Sequence, residues 1–143
     1  MTIARLIAGR SGDVWTVHAD DSVSDAIALL AERRIGALPV TGADGAVTGI
    51  FSERDVLYSL RRIGAELLTR KVGDVMTSPV VTVSADQSAL GALALMTKRR
   101  FRHLPVMQDG KMIAFISIGD LVKYRIEQIE AEADAMRDYI QSA

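Results

Sequence analysis

Cysteine is absent from all 143 residues of the chain. Its absence excludes thiolate catalysis, cysteine-based zinc sites and a disulfide framework, and it is compatible with a reducing compartment. Histidine is almost as scarce, because His18 and His103 are the only two. Two histidines without cysteine do not make a His-rich transition-metal site. The sequence therefore indicates neither thiol chemistry nor a metal centre.

The sequence also has few prolines, almost no net charge and no long apolar run. Three prolines and a hydrophobic share of 49% indicate a folded core rather than long disordered tracts. The net charge of −1 disfavours a globally basic nucleic-acid binder. No apolar run approaches the ~18–20 residues that span a bilayer, and the apolar stretch at the start is too short for a signal peptide. We therefore expect a soluble, cytoplasmic protein that binds neither nucleic acid nor membrane.

The sequence does contain an internal repeat. Residues 16–40, TVHADDSVSDAIALLAERRIGALPV, align without a gap with residues 82–106, TVSADQSALGALALMTKRRFRHLPV, and 13 of the 25 positions are identical. After a one-residue deletion the match resumes, with GIFSERD at 49–55 over AFISIGD at 114–120. Identity at both ends of the alignment is more than two amphipathic helices would share by chance. The chain is therefore a tandem duplication.

Each unit has the same predicted order of elements, β-α-β-β-α. The first helix of each unit has apolar residues at i, i+3, i+4 and i+7, which places them on one face. An Asp-Gly turn separates the later two strands, and the second helix begins at Ser52 or Ser117. The segments predicted as strands before each first helix and after each turn are Val14–Val17, Ala46–Phe51, Val80–Val83 and Lys111–Ile116.

The predicted fold class is α/β (α+β). Neither unit of about 60 residues buries much surface alone, so we expect the two to pack about a pseudo-two-fold axis. The first repeat with its lead-in is assigned to residues 1–65, the second to 66–123, and a helical extension to 124–143. Short helices at Ile3–Ile7 and Val72–Met76 are predicted to lead into the two repeats.

The last helical segment carries a heptad-like apolar seam. Its members are spaced by 4, 3, 4, 3 and 4 residues: Val122, Ile126, Ile129, Ala133, Met136 and Ile140. Two interpretations stay open. The helix lies against its own domain, or the seam pairs with another subunit.

The pattern resembles the CBS domain, and the chain resembles a stand-alone pair of such domains, a Bateman module. The resemblance rests on VMTSPVVTV, on the strands RRIGALPV and RRFRHLPV, and on the G-h-h-[ST]-x-x-D pattern of GIFSERD and AFISIGD. It covers about residues 3–123. It implies a regulator rather than a catalyst, an adenine nucleotide (AMP, ATP or an NAD-type dinucleotide) or S-adenosylmethionine bound between the repeats, and a flat homodimer. A partner protein to be regulated is also implied.

Two Ser-x-x-Asp pairs are the candidate ribose ligands. Ser52 with Asp55, and Ser117 with Asp120, each follow a hydrophobic strand and open a helix. One interpretation is a capping box, in which the serine and the aspartate satisfy the first backbone N–H groups of the helix. The other is that the aspartate accepts the two hydroxyls of a ribose, with the serine hydroxyl beside it. We interpret at least one pair as a ribose site.

Positive side chains are the candidate phosphate ligands. Lys98 and Arg99 suit the solvated end of a helix, where cations complement the helix dipole. Arg102 and His103 enter the following strand, at a position that faces the nucleotide phosphates in the family that the chain resembles. The first repeat lacks both residues. Arg54, from the first repeat, is the hypothesised third ligand and reaches the phosphate across the pseudo-two-fold axis.

An apolar slot for adenine is implied by the same resemblance. Its candidate residues start the first strand of each unit or lie on the later strands: Val14, Trp15, Thr16, Val80, Val81, Thr82, Ile50 and Phe115. Core or interface packing is the alternative role of Trp15. Ala114 replaces the family's glycine in the second repeat, which weakens the expectation of a close backbone approach there.

The function predicted from these features is a regulatory, nucleotide-sensing module that is not an enzyme. The sequence contains no G-x-x-x-x-G-K-[ST], G-x-G-x-x-G, G-x-S-x-G or H-E-x-x-H motif. The basic stretch at 98–103 lacks the interleaved aromatic residues of a nucleic-acid binder. The alternative is a structural adaptor that binds no ligand and acts through its terminal helix.

Overall fold

Helices and strands follow the same order in both halves of the chain, in a computed structural model that describes residues 1–10 and 14–142. The first half contains α1 (Ile3–Ile7), β1 (Val17–His18), α2 (Val23–Arg33), β2 (Ala37–Thr41), β3 (Val47–Ser52) and α3 (Glu53–Ile63). A 3₁₀ helix (Gly64–Thr69) follows. The second half contains α4 (Val72–Val75), β4 (Val83–Ser84), α5 (Ala89–Arg99), β5 (His103–Gln108), β6 (Lys111–Ser117) and α6 (Ile118–Ser142). The predicted α/β (α+β) class is confirmed.

Each half forms a three-stranded sheet of the same topology. β1 pairs parallel with β2, and β2 pairs antiparallel with β3; β4, β5 and β6 repeat this arrangement. The Asp-Gly turns lie between the antiparallel strands, with φ angles of 80° at Gly45 and 76° at Gly110. Glycine adopts this left-handed conformation without steric cost, so the turn residues define both hairpins.

The first strand of each sheet is shorter than the sequence predicts. Strands were predicted over Val14–Val17 and Val80–Val83, but β1 and β4 begin only at Val17 and Val83. The prediction was wrong because a strand needs a neighbour, and each of these strands finds only two partner residues on the next one. The residues before them are therefore free to line a cleft.

The helices α2 and α5 begin and end on equivalent residues. The side chains of Ser22 and Ser88 each accept a backbone hydrogen bond of 3.1 Å three residues later, which caps the helix. Both helices end at an arginine in the left-handed conformation, Arg34 (φ 52°) and Arg100 (φ 59°). On the faces predicted from the spacing, Ile27 and Leu93 are half-buried and the other residues are buried: Val23, Ala26, Leu30, Ala89, Ala92 and Met96.

The short lead-in helices pack on the opposite repeats. The N–H of Ile3 donates to the carbonyl of Gln87 at 2.9 Å, and Ile3 is fully buried in the core of the second repeat. In the same way, the N–H of Val72 donates to the carbonyl of Asp21 at 2.8 Å, and Val72 is buried in the core of the first repeat. Each repeat therefore completes its core with a segment that precedes the other one.

The last helix, α6, is continuous from Ile118 to Ser142, without a break before the predicted extension at 124. Leu121 is buried and Gln128 is half-buried, whereas every side chain from residue 129 to residue 142 is exposed. The interpretation that this helix lies against its own domain is therefore wrong beyond Gln128. Within the residues described, no helix is long and apolar enough to cross a membrane.

Candidate functional site

Two clefts open between the repeats, and they share Gly36 and His103 as a common wall. The basic cleft, of about 420 Å³, includes Ser52, Arg54, Asp55, Val80, Val81 and Arg102. The tryptophan cleft, of about 460 Å³, includes Arg10, Val14, Trp15, Phe115, Ser117 and Asp120. Both volumes lie within the range of ~300–1,000 Å³ that is typical of small-molecule sites.

In the basic cleft, Ser52 and Asp55 form a reciprocal capping box at the start of α3. The N–H of Ser52 donates to Oδ2 of Asp55 at 2.8 Å, and the N–H of Asp55 donates to Oγ of Ser52 at 3.4 Å. The Ser52 hydroxyl also donates to the same carboxylate oxygen at 3.1 Å. These contacts fix the carboxylate at the cleft, where its remaining lone pairs are available to a hydroxyl donor.

Thr77 holds the other oxygen of the same carboxylate. Its hydroxyl donates to Oδ1 of Asp55 at 2.8 Å. The backbone of Thr77 is bonded in turn to Ile50 on β3, with N···O distances of 2.8 and 3.0 Å. This close approach requires Gly49, since a Cβ there would lie 2.8 Å from the carbonyl oxygen of Thr77 and 2.7 Å from Sδ of Met76.

Four arginines line the basic cleft: Arg54, Arg99, Arg100 and Arg102. They face only two carboxylates there, Glu53 and Asp55. Over residues 1–10 and 14–142, none of the four forms a salt bridge. Nη1 of Arg54 instead donates to the backbone carbonyl of Arg100 at 3.3 Å, which links the two repeats. Uncompensated guanidinium groups in one cleft favour a polyanionic ligand, because they bind phosphate oxygens in a planar fork.

The apolar wall of the basic cleft comes from two different repeats. Val80 and Val81 precede β4, and Ile50 lies on β3. All three are half-buried. Thr82, the third candidate in this segment, is exposed and is not among the residues that line either cleft.

In the tryptophan cleft, Ser117 and Asp120 repeat the reciprocal cap. The N–H of Ser117 donates to Oδ2 of Asp120 at 2.8 Å, and the N–H of Asp120 donates to Oγ of Ser117 at 3.1 Å. Arg10 forms a salt bridge with the second carboxylate oxygen of Asp120, with Nη2 at 3.2 Å from Oδ1. Burial alone would raise the pKa of Asp120, but the Ser117 N–H and the Arg10 guanidinium outweigh it and lower the pKa.

Trp15 forms an exposed wall of this cleft. Its side chain is 47% exposed, and Cζ of Arg33 lies 3.8 Å from the centroid of the indole ring. Core packing, one alternative for Trp15, is therefore excluded. Val14 also lines the cleft, whereas Thr16 is exposed and is not among the lining residues of either cleft.

His103 separates the two clefts. Its imidazole stacks on Phe115, with ring centroids 5.3 Å apart and an angle of 14° between the planes. Burial lowers the pKa of His103, the nearby Asp120 carboxylate opposes this effect, and Arg102 adds to it. The imidazole is therefore held in its neutral form more strongly than an exposed histidine.

The structure divides the sequence-predicted ligands between the clefts. Arg54 and Arg102 reach one cleft from different repeats, and they meet Asp55 there. The other pair, Ser117 and Asp120, lies in the tryptophan cleft, where Arg10 is the arginine. Of the predicted ligands, only His103 lines both clefts.

Three kinds of cleft residue were missed from the sequence. Thr77 stands in the VMTSPVVTV segment, where a hydroxyl next to the cleft valines was the available signal. Arg99 was interpreted as part of the solvated end of a helix and Arg100 was given no role, but both line the cleft, and Arg100 adopts the left-handed conformation there. Arg10 gave no signal, because the repeat alignment places it opposite Met76.

The sequence model of the CBS domain matches residues 10–62 and 72–127, which covers both repeats. The chain belongs to the CBS-domain family. The two clefts thus lie between the repeats of a CBS pair. The crystal structure of the CBS-domain containing protein ATU1752 from Agrobacterium tumefaciens is similar to this CBS pair, with a TM-score of 0.82 at 40% identity over 87% of this chain and 92% of that one.

Relatives differ in how much surrounds the CBS pair. The mitochondrial CBS domain-containing protein CBSX3 of Arabidopsis thaliana is 37% identical over 140 residues, which is 93% of this chain and 68% of that protein. An inosine-5'-monophosphate dehydrogenase of Methanocaldococcus jannaschii is 37% identical over 114 residues, which is 79% of this chain and 22% of the enzyme. The likeness to the dehydrogenase is therefore restricted to about a fifth of its length.

A solved relative carries a nucleotide. The crystal structure of CBSX2 in complex with AMP is similar to this CBS pair, with a TM-score of 0.74 at 29% identity. The likeness covers 90% of this chain and 98% of that one.

Proposed function

We propose that this CBS pair is a regulatory module that binds an adenine nucleotide in the basic cleft. The observation that carries the proposal is the convergence of four arginines without carboxylate partners, among the residues described, on a cleft that also holds a fixed carboxylate. An anion with a hydroxyl-bearing sugar satisfies both features at once. The AMP complex of CBSX2 supports adenine as the base.

Each part of the nucleotide has a proposed partner. The phosphates bind Arg102, His103 and Arg54, with Arg99 and Arg100 at the same side. The ribose hydroxyls donate to Asp55, and Ser52 positions that carboxylate. The base lies on Val80, Val81 and Ile50, which form the apolar wall of the basic cleft. ATP carries more phosphate charge than AMP and gains more from the arginines, whereas the pyrophosphate of an NAD-type dinucleotide carries about the same charge as the AMP phosphate.

The tryptophan cleft is a second, weaker site in this proposal. Ser117 and Asp120 are placed to meet a ribose, while Val14, Trp15 and Phe115 supply apolar walls. The arginine in this cleft, Arg10, is paired with Asp120, so less positive charge is left for a phosphate. Nucleotides with few phosphates are therefore the expected ligands here.

The module acts by regulation and not by catalysis. Stand-alone CBS relatives and the partial match to the dehydrogenase support this assignment. Nucleotide binding orders the cleft between repeats and changes how subunits or a regulated protein pack, since a ligand acts through its different affinity for two states. We place the module in the cytoplasm, as a homodimer without a nucleic-acid or membrane ligand; the cysteine-free sequence is compatible with that compartment.

The test is isothermal titration and thermal unfolding with AMP, ADP, ATP, NAD and adenosine, on the wild type and on Arg102→Gln. We expect a nucleotide at a hundredfold its dissociation constant to add about 2.7 kcal/mol of stability, a shift of several degrees. Removing one charge-assisted contact in Arg102→Gln should weaken binding roughly 10- to 100-fold.

The matched control is Lys98→Gln. Lys98 is exposed, basic and only four residues from Arg102, and it is not among the lining residues of either cleft. Binding equal to the wild type is expected. If no nucleotide shifts the unfolding temperature of the wild type, the ligand-free adaptor becomes the better assignment.

A further inference from the structure

The C-terminal half of α6 projects away from the two repeats. Every side chain from residue 129 to residue 142 is exposed, including the large apolar residues Ile129 at 48%, Met136 at 59% and Ile140 at 64%. The first half of α6 packs on the second repeat and nucleates the helix, so the second half continues it without a nucleation cost. Its apolar stripe nevertheless stays in water, and pairing with another helix would remove that surface from water.

The stripe has the spacing of a coiled-coil seam. Its members alternate between the two inward heptad positions, d and a: Val122, Ile126, Ile129, Ala133, Met136 and Ile140. The seam is separate from the face that packs on the body. Leu121, which is buried, and Val122, which is 43% exposed, are consecutive residues and lie about 100° apart around the helix. A second helix can therefore occupy the seam without displacing the body.

The charges beside the seam select the partner's direction. In a parallel, in-register pair, the residue at position g of one helix lies beside the residue five positions later, at position e, of the other. Arg125 then lies beside Glu130 of a second copy, and Glu132 lies beside Arg137 of a second copy. Both contacts join opposite charges, and the symmetry of the pair doubles them.

An antiparallel pair along the same seam brings like charges together. In that arrangement, e positions meet e positions and g positions meet g positions. Glu130 then faces Glu130 of the second copy, Glu132 faces Glu132, and Lys123 faces Arg137. Like-charge contacts disfavour the arrangement, so the charge pattern also discriminates against the wrong direction.

We infer that the α6 helices of two copies of this chain pair as a parallel, in-register coiled coil through the seam from Val122 to Ile140. The intrachain ion pair between Arg137 and Asp134, at 3.0 Å, does not oppose this pairing strongly, because its side chains are 72% and 69% exposed. The coil places both CBS pairs at the same end of the dimer. It is independent of the nucleotide proposal.

The test is disulfide cross-linking of the full chain, which has no native cysteine to interfere. In a parallel pair, the two copies of position 136 face each other at a separation that a disulfide spans. We expect the Met136→Cys variant to form a covalent dimer under mild oxidation. The matched control is Asp138→Cys, because Asp138 is on the opposite side of the same helical turn and is also exposed. It should remain monomeric on a non-reducing gel.

Two results would overturn the inference. One is failure of Met136→Cys to cross-link faster than Asp138→Cys. The other is cross-linking only in a mixture of Met136→Cys and Ile126→Cys chains, which an antiparallel pair predicts because position 136 then faces position 126.

Charge exchange tests the same register without relying on one disulfide. In the Met136→Cys background, Glu132→Arg should slow cross-linking about fivefold, since it sets arginine against Arg137 of the second copy. Adding Arg137→Glu should restore the rate. An antiparallel pair predicts no such rescue, because residue 132 would then face residue 132 of the second copy and not residue 137.

Discussion

The hydroxyl of Thr77 donates a 2.8 Å hydrogen bond to Oδ1 of Asp55, from the segment that leads into the second repeat to the first helix turn after β3. Thr77 is itself bonded through its backbone to Ile50. The proposed ribose carboxylate is thus held by both repeats. Its orientation depends on how the repeats dock and not on the capping box alone.

Replacing Thr77 tests that dependence. Thr77→Val removes the donor and leaves Oδ1 of Asp55 without this partner, so we expect the dissociation constant for the nucleotide to rise about 5- to 10-fold and the free energy of unfolding to fall by about 1 kcal/mol. Titration calorimetry and urea unfolding measure the two changes. The control Thr82→Val, at an exposed position outside the lining of both clefts, should alter neither. An equal loss in both variants would contradict the assigned role.

Gly49→Ala should disturb the same region from the other side. The new methyl group would lie 2.7 Å from Sδ of Met76 and 2.8 Å from the carbonyl oxygen of Thr77, so the Met76–Thr77 backbone must move. We expect a loss of about 1–3 kcal/mol in urea unfolding, together with weaker nucleotide binding.

Gly91→Ala is the matched control for that substitution. A Cβ at Gly91, on an exposed turn of α5, would meet no atom closer than 3.4 Å. Alanine should therefore stabilise the helix by roughly 0.5–1 kcal/mol. Stability unchanged in Gly49→Ala would show that the close approach of Thr77 to β3 is not required.

We expect the folded chain to lose stability in mild acid because of His103. Its pKa in the folded chain is lowered, by burial above all, so the unfolded chain binds a proton more readily. The contribution of neutral His103 to the free energy of unfolding is fully present above the ordinary imidazole pKa of 6.5. It is lost as the pH falls through the folded-state pKa. Urea unfolding from about pH 7.5 to about pH 5 measures it, above the range in which the lowered pKa of Asp120 acts.

The variant His103→Gln should flatten this part of the stability profile. His18→Gln is the control, since His18 is exposed, its ring contacts Thr41 Oγ1 at 3.2 Å, and it lines neither cleft. It should keep the acid loss of the wild type. A wild-type profile that is already flat over this range would mean that burial of His103 does not disfavour its charged form.

Trp15 reports which cleft fills first. It is the only tryptophan of the chain, and it lines the tryptophan cleft and not the basic cleft. During a nucleotide titration, we expect the heat of binding to saturate before the indole fluorescence changes. In Arg102→Gln the calorimetric signal should weaken while the fluorescence change stays. Fluorescence that follows the heat in the wild type would place the stronger site in the tryptophan cleft.

The repeat made much of the fold predictable. The helix faces around Val23 and Ala89 and the two hairpins follow from local periodicity that occurs twice, so each copy supports the interpretation of the other. Local patterns could not show that Ile3 packs in the core of the second repeat, because its partner Gln87 is far away in sequence. The docking of the repeats decides that contact.

The site was predictable in its residue types but not in its grouping. The sequence predicted Arg54 and Arg102 as phosphate ligands because they are charged and lie near predicted strand ends. Whether they line the same cleft as Asp55 or as Asp120 depends on the pseudo-two-fold packing of the repeats. The hydroxyl of Thr77 was missed for the same reason. Residues that act across the repeat boundary have no fixed spacing in the sequence.

The wall between the clefts is one side chain thick. Gly36 offers no side chain there, and a Cβ at that position would lie 3.8 Å from Cε1 of His103 and 3.2 Å from Oε1 of Glu53. A ligand that shifts the His103 imidazole therefore reshapes the neighbouring cleft as well. If both clefts bind ligands as proposed, we expect their occupancies to be linked, and the linkage to be reciprocal: whatever the first ligand does to the affinity for the second, the second does to the first. Such a CBS pair would respond to the combination of its ligands and not to each one separately.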